Sequence, residues 1–403
     1  MYLIFKKFKD VFYDTYNNFQ NLIDFHLKQE MMFSLILMSG LMGALMLFIP
    51  DAKALGPCSN LSCIQSNQNY LVVVQQPSPF SNISRTIPLY EITTRGDFDL
   101  NTGLQLKPDK LRGVQGLGYE GHYSLSDLNE LVSSCPSEIA IFVHGWNLTD
   151  DNAKERFDRL KLSLEHDNYY IHLVGFSWDS DTAWYTARFI AKGNGDKLAQ
   201  FISDYMASCK HQNKDTKIRL IGHSLGARVI LSSLFSLDNN QTWNNNNFKI
   251  TSVHLMGAAV DDEEVYKNLS DIPDEPLGWQ GLKYAYGRAI EDEVTKFNNL
   301  FSPEDDALEP RPPPVFYPYF EGDFALGQHG FQLGILLPTN YNQTNVQNQI
   351  PADCDSNGDS ICDLSTITVR GDNHFGYIGF RDAVTKGFKD DGAVDVVVND
   401  WKE

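Results

Sequence analysis

Lys217-Ile218-Arg219-Leu220-Ile221-Gly222-His223-Ser224-Leu225-Gly226-Ala227-Arg228-Val229 is the stretch on which the fold turns. Its first half reads as a buried strand and its second half as the start of a helix, with Gly-x-Ser-x-Gly at the join. A strand-to-helix turn this tight needs neighbours nearly free of side chain, which glycines two residues to either side of the serine supply. Ser224 is thereby lifted out of the sheet with the N-terminus of a helix behind it. Composition alone produces the five-residue pattern in roughly a tenth of chains of this length, so its surroundings have to carry the reading.

Those surroundings alternate. Upstream, Ile139-Ala140-Ile141-Phe142-Val143 is an unbroken apolar run of strand length that ends in His144-Gly145-Trp146. Such a run implies burial on both faces, as in a parallel sheet. Ala153, Phe157, Leu160 and Leu164 follow at helical spacing, and residues 170–176 return to a strand pattern. Leu198, Phe201, Ile202 and Tyr205 mark a helix ending near Cys209. Downstream of the serine, Val229, Leu231, Leu234 and Phe235 continue a helix, and strands are expected at 250–256, 294–301 and 366–369. Earlier strands are expected at 71–74 and 90–94, and a short helix at 126–133. The order is that of an α/β fold: a mostly parallel central sheet, right-handed crossovers and helices on both faces.

With these pieces in order the chain resembles the α/β-hydrolase superfamily, and within it the lipase- and esterase-like serine hydrolases with a Gly-His-Ser-Leu-Gly nucleophile elbow. The resemblance covers residues 138 to 385 or so, with the motifs in the family's order: oxyanion loop, serine, acid, histidine. It implies a Ser-His-Asp triad at the carboxyl ends of the strands, because a serine hydroxyl needs a base in reach and a third group to orient that base. Ser224 would be the nucleophile. His374, late in the chain in Gly371-Asp372-Asn373-His374-Phe375-Gly376, would be the base, with His329 as runner-up. Asp305, after the expected strand ending at Phe301, would be the acid. Asp306 and, one strand earlier, Asp261 remain alternatives. The oxyanion hole would use the backbone N–H groups of Leu225 and Trp146. His144 and His223 sit in motif positions other than that of the base and are expected to support it.

The 403 residues suffice for one large α/β domain with insertions, and 42% hydrophobic residues suffice for its core. A formal charge of -19 gives no surface on which to neutralise phosphates and argues against nucleic acid as a partner. Residues 31–50 are uncharged and long enough to span a bilayer, and Ala52-Lys53-Ala54 offers a small-x-small cleavage pattern. A cleaved signal and a retained membrane anchor both stay open. Either one makes 1–54 a targeting segment and 55–403 an extracytoplasmic hydrolase domain, secreted or anchored to the outer face of a membrane.

Six cysteines fit that placement, with Cys58 expected to pair with Cys63, Cys354 with Cys362, and Cys135 with Cys209 as the remainder. Six Asn-x-Ser/Thr sequons, from Asn60 to Asn342, permit surface glycosylation.

Asp353, Asp355, Asn357, Asp359 and Asp363 alternate around Gly358 in the loop 353–363, the oxygen-rich spacing that a calcium ion asks of a tight turn. A disulfide-closed acidic turn is the competing reading, since Leu364 stands where an EF-hand has its bidentate acid. Calcium there would be structural, and the chemistry itself calls for no cofactor. Residues 262–293 and the aromatic loop 309–320 are candidate lid segments over an acyl pocket. The expected substrate is a small-molecule or lipid ester. A thioesterase or acyltransferase on the same fold, and a non-catalytic binding protein at the cell surface, are the alternatives.

Overall fold

Seven strands form one sheet in the computed structural model, which describes residues 86–106, 125–268, 270, 285–305, 307–308, 337–350, 373–381 and 388–403. In chain order the elements are β1 (Leu89–Thr93), α1 (Leu125–Ser134), β2 (Glu138–Val143), α2 (Asp150–His166), β3 (His172–Ser177), α3 (Trp184–His211), β4 (Lys217–His223), α4 (Gly226–Asp238), α5 (Gln241–Asn245) and β5 (Ile250–Met256). After a 3₁₀ turn at Asp262–Val265 come α6 (Gly287–Glu293), β6 (Val294–Phe301) and β7 (Tyr341–Asn345). A second 3₁₀ turn (Gly376–Ile378) leads to a small hairpin of β8 (Phe380–Arg381) and β9 (Phe388–Asp390), and α7 (Val394–Lys402) follows.

The sheet order is β1-β3-β2-β4-β5-β6-β7, and every neighbouring pair is parallel. This is the doubly wound sheet of the α/β-hydrolase fold. From β2 the chain crosses to β3 on one side and then to β4 on the other. The reversal opens a crevice at the carboxyl ends of β2 and β4, the usual place for a site in such sheets.

Alternation along β2 explains how both faces are covered. Ile139, Ile141 and Val143 pack into one core with Ala187, Ile190, Leu198 and Ile202 of α3 and Val229 and Ile230 of α4. Ala140 and Phe142 point to the other, with Phe157 and Leu160 of α2 and Val397, Val398 and Trp401 of α7. The strand is apolar throughout because neither face meets water. α2 begins where Thr149 accepts a hydrogen bond from Asn152 N–H, and Asp150 and Asp151 in its first turn complement the helix dipole.

Two elements differ from the sequence reading. α3 starts at Trp184, well before the first apolar positions that announce it. Gly193, Asn194 and Gly195 interrupt its pattern, but a Cβ on Gly195 would lie 2.4 Å from Ser232 Cβ of α4, so the small residue serves close helix packing. β7 was not anticipated at all. It is an edge strand of polar composition, half-exposed, with Tyr341 stacked on Phe297.

Cys135 and Cys209 form a disulfide joining the segment after α1 to the last turn of α3. A compact unit runs Asn82–Glu403, and no helix among the described residues is long and apolar enough to cross a membrane. The segment 31–50, the pairs Cys58/Cys63 and Cys354/Cys362, the expected strands at 71–74 and 366–369, the middle of the 262–293 segment (269 and 271–284) and the loop 309–320 lie outside the described residues.

Candidate active site

Ser224 follows β4 in a left-handed backbone conformation, with φ of 54°. A non-glycine residue there carries strain of order 1–3 kcal/mol, which persists only where its surroundings hold it. Here Ser224 N–H donates to Met256 O at 3.0 Å, while its carbonyl accepts from Ala227 N–H at 3.0 Å and Ala259 N–H at 3.1 Å. The turn is thus fastened to the end of β5 on one side and to α4 on the other. Gly226 permits the close approach: a Cβ there would lie 2.3 Å from Val143 O and 2.7 Å from His144 O. The motif's second glycine is therefore fixed by the loop after β2.

That loop lies directly against the serine. A Cβ on Gly145 would come within 2.7 Å of Ser224 Cβ and 3.2 Å of Ser224 Oγ. His144 fixes the loop from beneath. Its Nε2 accepts a hydrogen bond from Trp178 N–H at 3.1 Å, so the proton resides on Nδ1, which donates to Gly145 O at 2.8 Å. Trp178 Nε1–H returns a bond to His144 O at 2.9 Å, and the two rings stack. Arg95 adds a bond to Leu148 O at 3.0 Å. Burial, with the nearby Arg95 guanidinium, pushes the His144 imidazole down to about 3, so it stays neutral and keeps this tautomer. Trp146 is held by Nε1–H donation to Thr182 O at 2.7 Å and by the edge of Trp184. Gly145 and the N-terminus of α4 at Leu225 thus flank Ser224 on two sides.

His374 pairs with Asp305. Its Nδ1 lies 2.9 Å from Oδ2 and 3.1 Å from Oδ1 of the carboxylate. Asp305 is fully buried, in the turn after β6, and Oδ1 also accepts Ala307 N–H at 3.2 Å. With Nδ1 committed to the acid, Nε2 is left as the atom of the ring that can exchange a proton with a substrate. His374 retains some exposure.

His223 links this pair to the elbow. Its Nε2–H donates to His374 O at 2.7 Å and the two rings lie 4.8 Å apart. Burial first, and His374 second, hold the His223 imidazole well below its ordinary range, so it acts as a neutral strut. The His374 segment is braced elsewhere by Ser163 Oγ–H on Ile378 O at 3.1 Å and Ala393 N–H on Tyr377 O at 3.0 Å.

The residues singled out in the sequence therefore divide. Ser224, Leu225, Trp146, His374 and Asp305 gather at the carboxyl edge of β2, β4 and β6. Among the described residues Ser224 Oγ makes no hydrogen bond, so the serine meets the His374–Asp305 pair through His223 and not directly. Asp261, the alternative acid, is engaged elsewhere: it pairs with Arg188 at 2.9 Å and faces Arg228 at 3.6 Å. Asp306, His329 and the loop carrying Asp353, Asp355, Asn357, Asp359 and Asp363 lie outside the described residues.

Sequence reasoning missed Tyr377 and Arg95. Tyr377 is buried against Asp305, and its hydroxyl oxygen accepts Ser302 N–H at 2.8 Å. No local pattern marks either residue, since each acts on a loop distant in the chain.

Residues 124–310 match a family model described as an alpha/beta hydrolase of unknown function (DUF900). No curated protein matches the chain. Among solved structures, similarity is found to the phospholipase PlaB from Legionella pneumophila in complex with thio-NAD, at 15% identity and a TM-score of 0.23, over 40% of this chain and 37% of that one. The chain thus spans little more than a third of that protein.

Proposed function

We propose that this protein is a serine hydrolase of carboxylic esters, lipase- or esterase-like, working through an acyl-enzyme. The observation that carries the reading is the buried Asp305 carboxylate on Nδ1 of His374, tied through His223 to a serine held at φ of 54°. A binding protein on this fold has no use for either feature, since both cost stability.

In the proposed cycle Ser224 Oγ attacks the acyl carbon as His374 Nε2 takes its proton. Asp305 keeps Nδ1 protonated and stabilises the imidazolium. The tetrahedral oxyanion is received by the backbone N–H groups of Leu225 and Trp146, each worth about 2.7–4 kcal/mol in the transition state. His374 then protonates the leaving alcohol, and water, activated by the same imidazole, releases the acid. Catalytic hydrogen bonds are often open in the free enzyme and tighten on substrate, which is how the Ser224–His374 contact forms in this account.

The Cys135–Cys209 disulfide supports an extracytoplasmic location, because such bonds persist in oxidising compartments. In that proposal residues 31–50 direct the chain to or through a membrane. The test of activity is turnover of p-nitrophenyl esters of graded acyl length. Ser224→Ala and His374→Ala should each lower kcat by about 10⁴ to 10⁶-fold. Undiminished turnover in either variant would remove the proposed cycle.

A further inference from the structure

The acid of the His374–Asp305 pair has a second side-chain partner. Tyr377 is fully buried, three residues beyond His374, in the 3₁₀ turn that follows it. Its hydroxyl oxygen accepts Ser302 N–H at 2.8 Å, which leaves the phenolic hydrogen to be given away, and the buried Asp305 carboxylate is the neighbouring acceptor: Tyr377 Cζ and Asp305 Oδ2 each lie 3.1 Å from where a Cβ on Gly257 would stand. The Asp305 carboxylate therefore lies between two groups of the same short segment that can donate to it, the imidazole of His374 and the phenol of Tyr377.

The room for this arrangement is made by Gly257, just past β5. Gly257 has a φ of +53°, and a Cβ there would lie 2.7 Å from Tyr377 Cε2 and 3.1 Å from Asp305 Oδ2. Any side chain would push the phenol and the carboxylate apart, and the backbone conformation itself favours glycine. Burial and the adjacent carboxylate hold the Tyr377 phenol well above its usual range, so it remains a donor at every working pH.

We infer that Tyr377 is a positioning residue of the catalytic pair: its hydroxyl fixes the rotamer of Asp305 and sets how strongly that carboxylate holds the proton on His374. The inference rests on the reading of Ser224, His374 and Asp305 as a triad. A donated hydrogen bond disperses negative charge on the carboxylate and weakens its pull on the imidazolium. Removing it makes Asp305 a stronger partner, and His374 titrates at a higher pH. The other groups facing His374 are constant in this comparison: the neutral His223 ring at 4.8 Å, and, from α2, Arg156 over the Phe375 ring at 4.6 Å with Arg159 and Glu155 beside it.

Tyr377→Phe keeps the buried ring and deletes only the hydroxyl. The full chain carrying it is compared with wild type in two ways. Ester hydrolysis over a pH series should show kcat reduced about ten-fold with KM little changed, as expected for a lost hydrogen bond to a charged group. The acid limb of the kcat/KM profile should move up by about one pH unit. NMR titration of the His374 imidazole, which needs no turnover, should show the same upward displacement. Site-specific 3-fluorotyrosine at position 377, close to tyrosine in size and a stronger donor, should move the His374 titration the other way, and it keeps the test open if Tyr377→Phe folds poorly. A His374 titration unmoved in the variant that folds would overturn the positioning role. A wild type that neither hydrolyses esters nor reacts at Ser224 would instead overturn the esterase reading, while the titration still reports whether Tyr377 tunes the pair.

Discussion

Gly145 and Ser224 are in contact across two loops: a methyl group on Gly145 would stand 2.7 Å from Ser224 Cβ and 3.2 Å from Oγ. The loop after β2 therefore leaves no room between itself and the nucleophile. Gly145→Ala should displace the hydroxyl or the adjacent N–H of Trp146, and misplacement by about 1 Å can cost roughly 10²-fold in rate. Ester turnover should fall by that order while the melting temperature changes little. Wild-type turnover in this variant would show that the loop is not part of the site.

His144 ties stability to pH. Its folded imidazole is depressed to about 3, chiefly by burial, from the ordinary 6.5. The unfolded chain thus binds a proton over this interval and the folded chain does not, so stability is full above about 6.5 and falls as pH drops toward 3. One such group contributes a slope of about 1.4 kcal/mol per pH unit. In urea titrations at pH 7 and pH 4.5, His144→Gln should lose less stability on acidification than wild type. Equal losses would contradict a buried neutral His144.

Arg228, on the first turn of α4, is fully buried against Glu264 and near Asp261. Burial, only partly offset by Arg228, holds the Glu264 carboxyl up at about 8. Arg228→Met leaves the carboxyl without its main partner and should destabilise by about 3–5 kcal/mol. Adding Glu264→Gln should recover most of that loss. Urea midpoints for the two variants check it, and a single variant as stable as wild type would refute the coupling.

The disulfide encloses a sequence separation of 74 residues, spanning β2, α2, β3 and α3. The loss of chain entropy on closing so long a loop is worth about 4 kcal/mol on a loop-closure account. Cys135→Ser with Cys209→Ser should lower the unfolding free energy by that order. An unchanged denaturation midpoint on reduction would show that the bond carries no stability.

The parallel strands on which the site stands are legible in the sequence because β2 holds an unbroken apolar run buried on both sides, and β4, β5 and β6, though interrupted by Arg219, His254 and Asn298, keep apolar positions over a strand's length. β7 is not legible, because an edge strand with one solvated side can be built from Tyr341-Asn342-Gln343-Thr344-Asn345. Ser224 and the loop after β2 are legible because a tight turn and a close approach force glycine into fixed places. The acid is not settled by sequence, since Asp261 and Asp305 both follow strands. Only the fold shows that Arg188 and Arg228 occupy the first and His374 the second. Tyr377 escapes for the same reason: its partner belongs to another loop, and a buried tyrosine looks like core until its hydroxyl is traced.

The central claim is that Ser224 is a nucleophile activated by His374. It is tested most directly by exposing the folded protein to a fluorophosphonate probe and locating the adduct by peptide mass spectrometry. The account predicts a single stoichiometric adduct on the peptide containing Ser224, absent in Ser224→Ala and formed far more slowly in His374→Ala. Labelling that survives in Ser224→Ala, or that proceeds at the wild-type rate in His374→Ala, would contradict it.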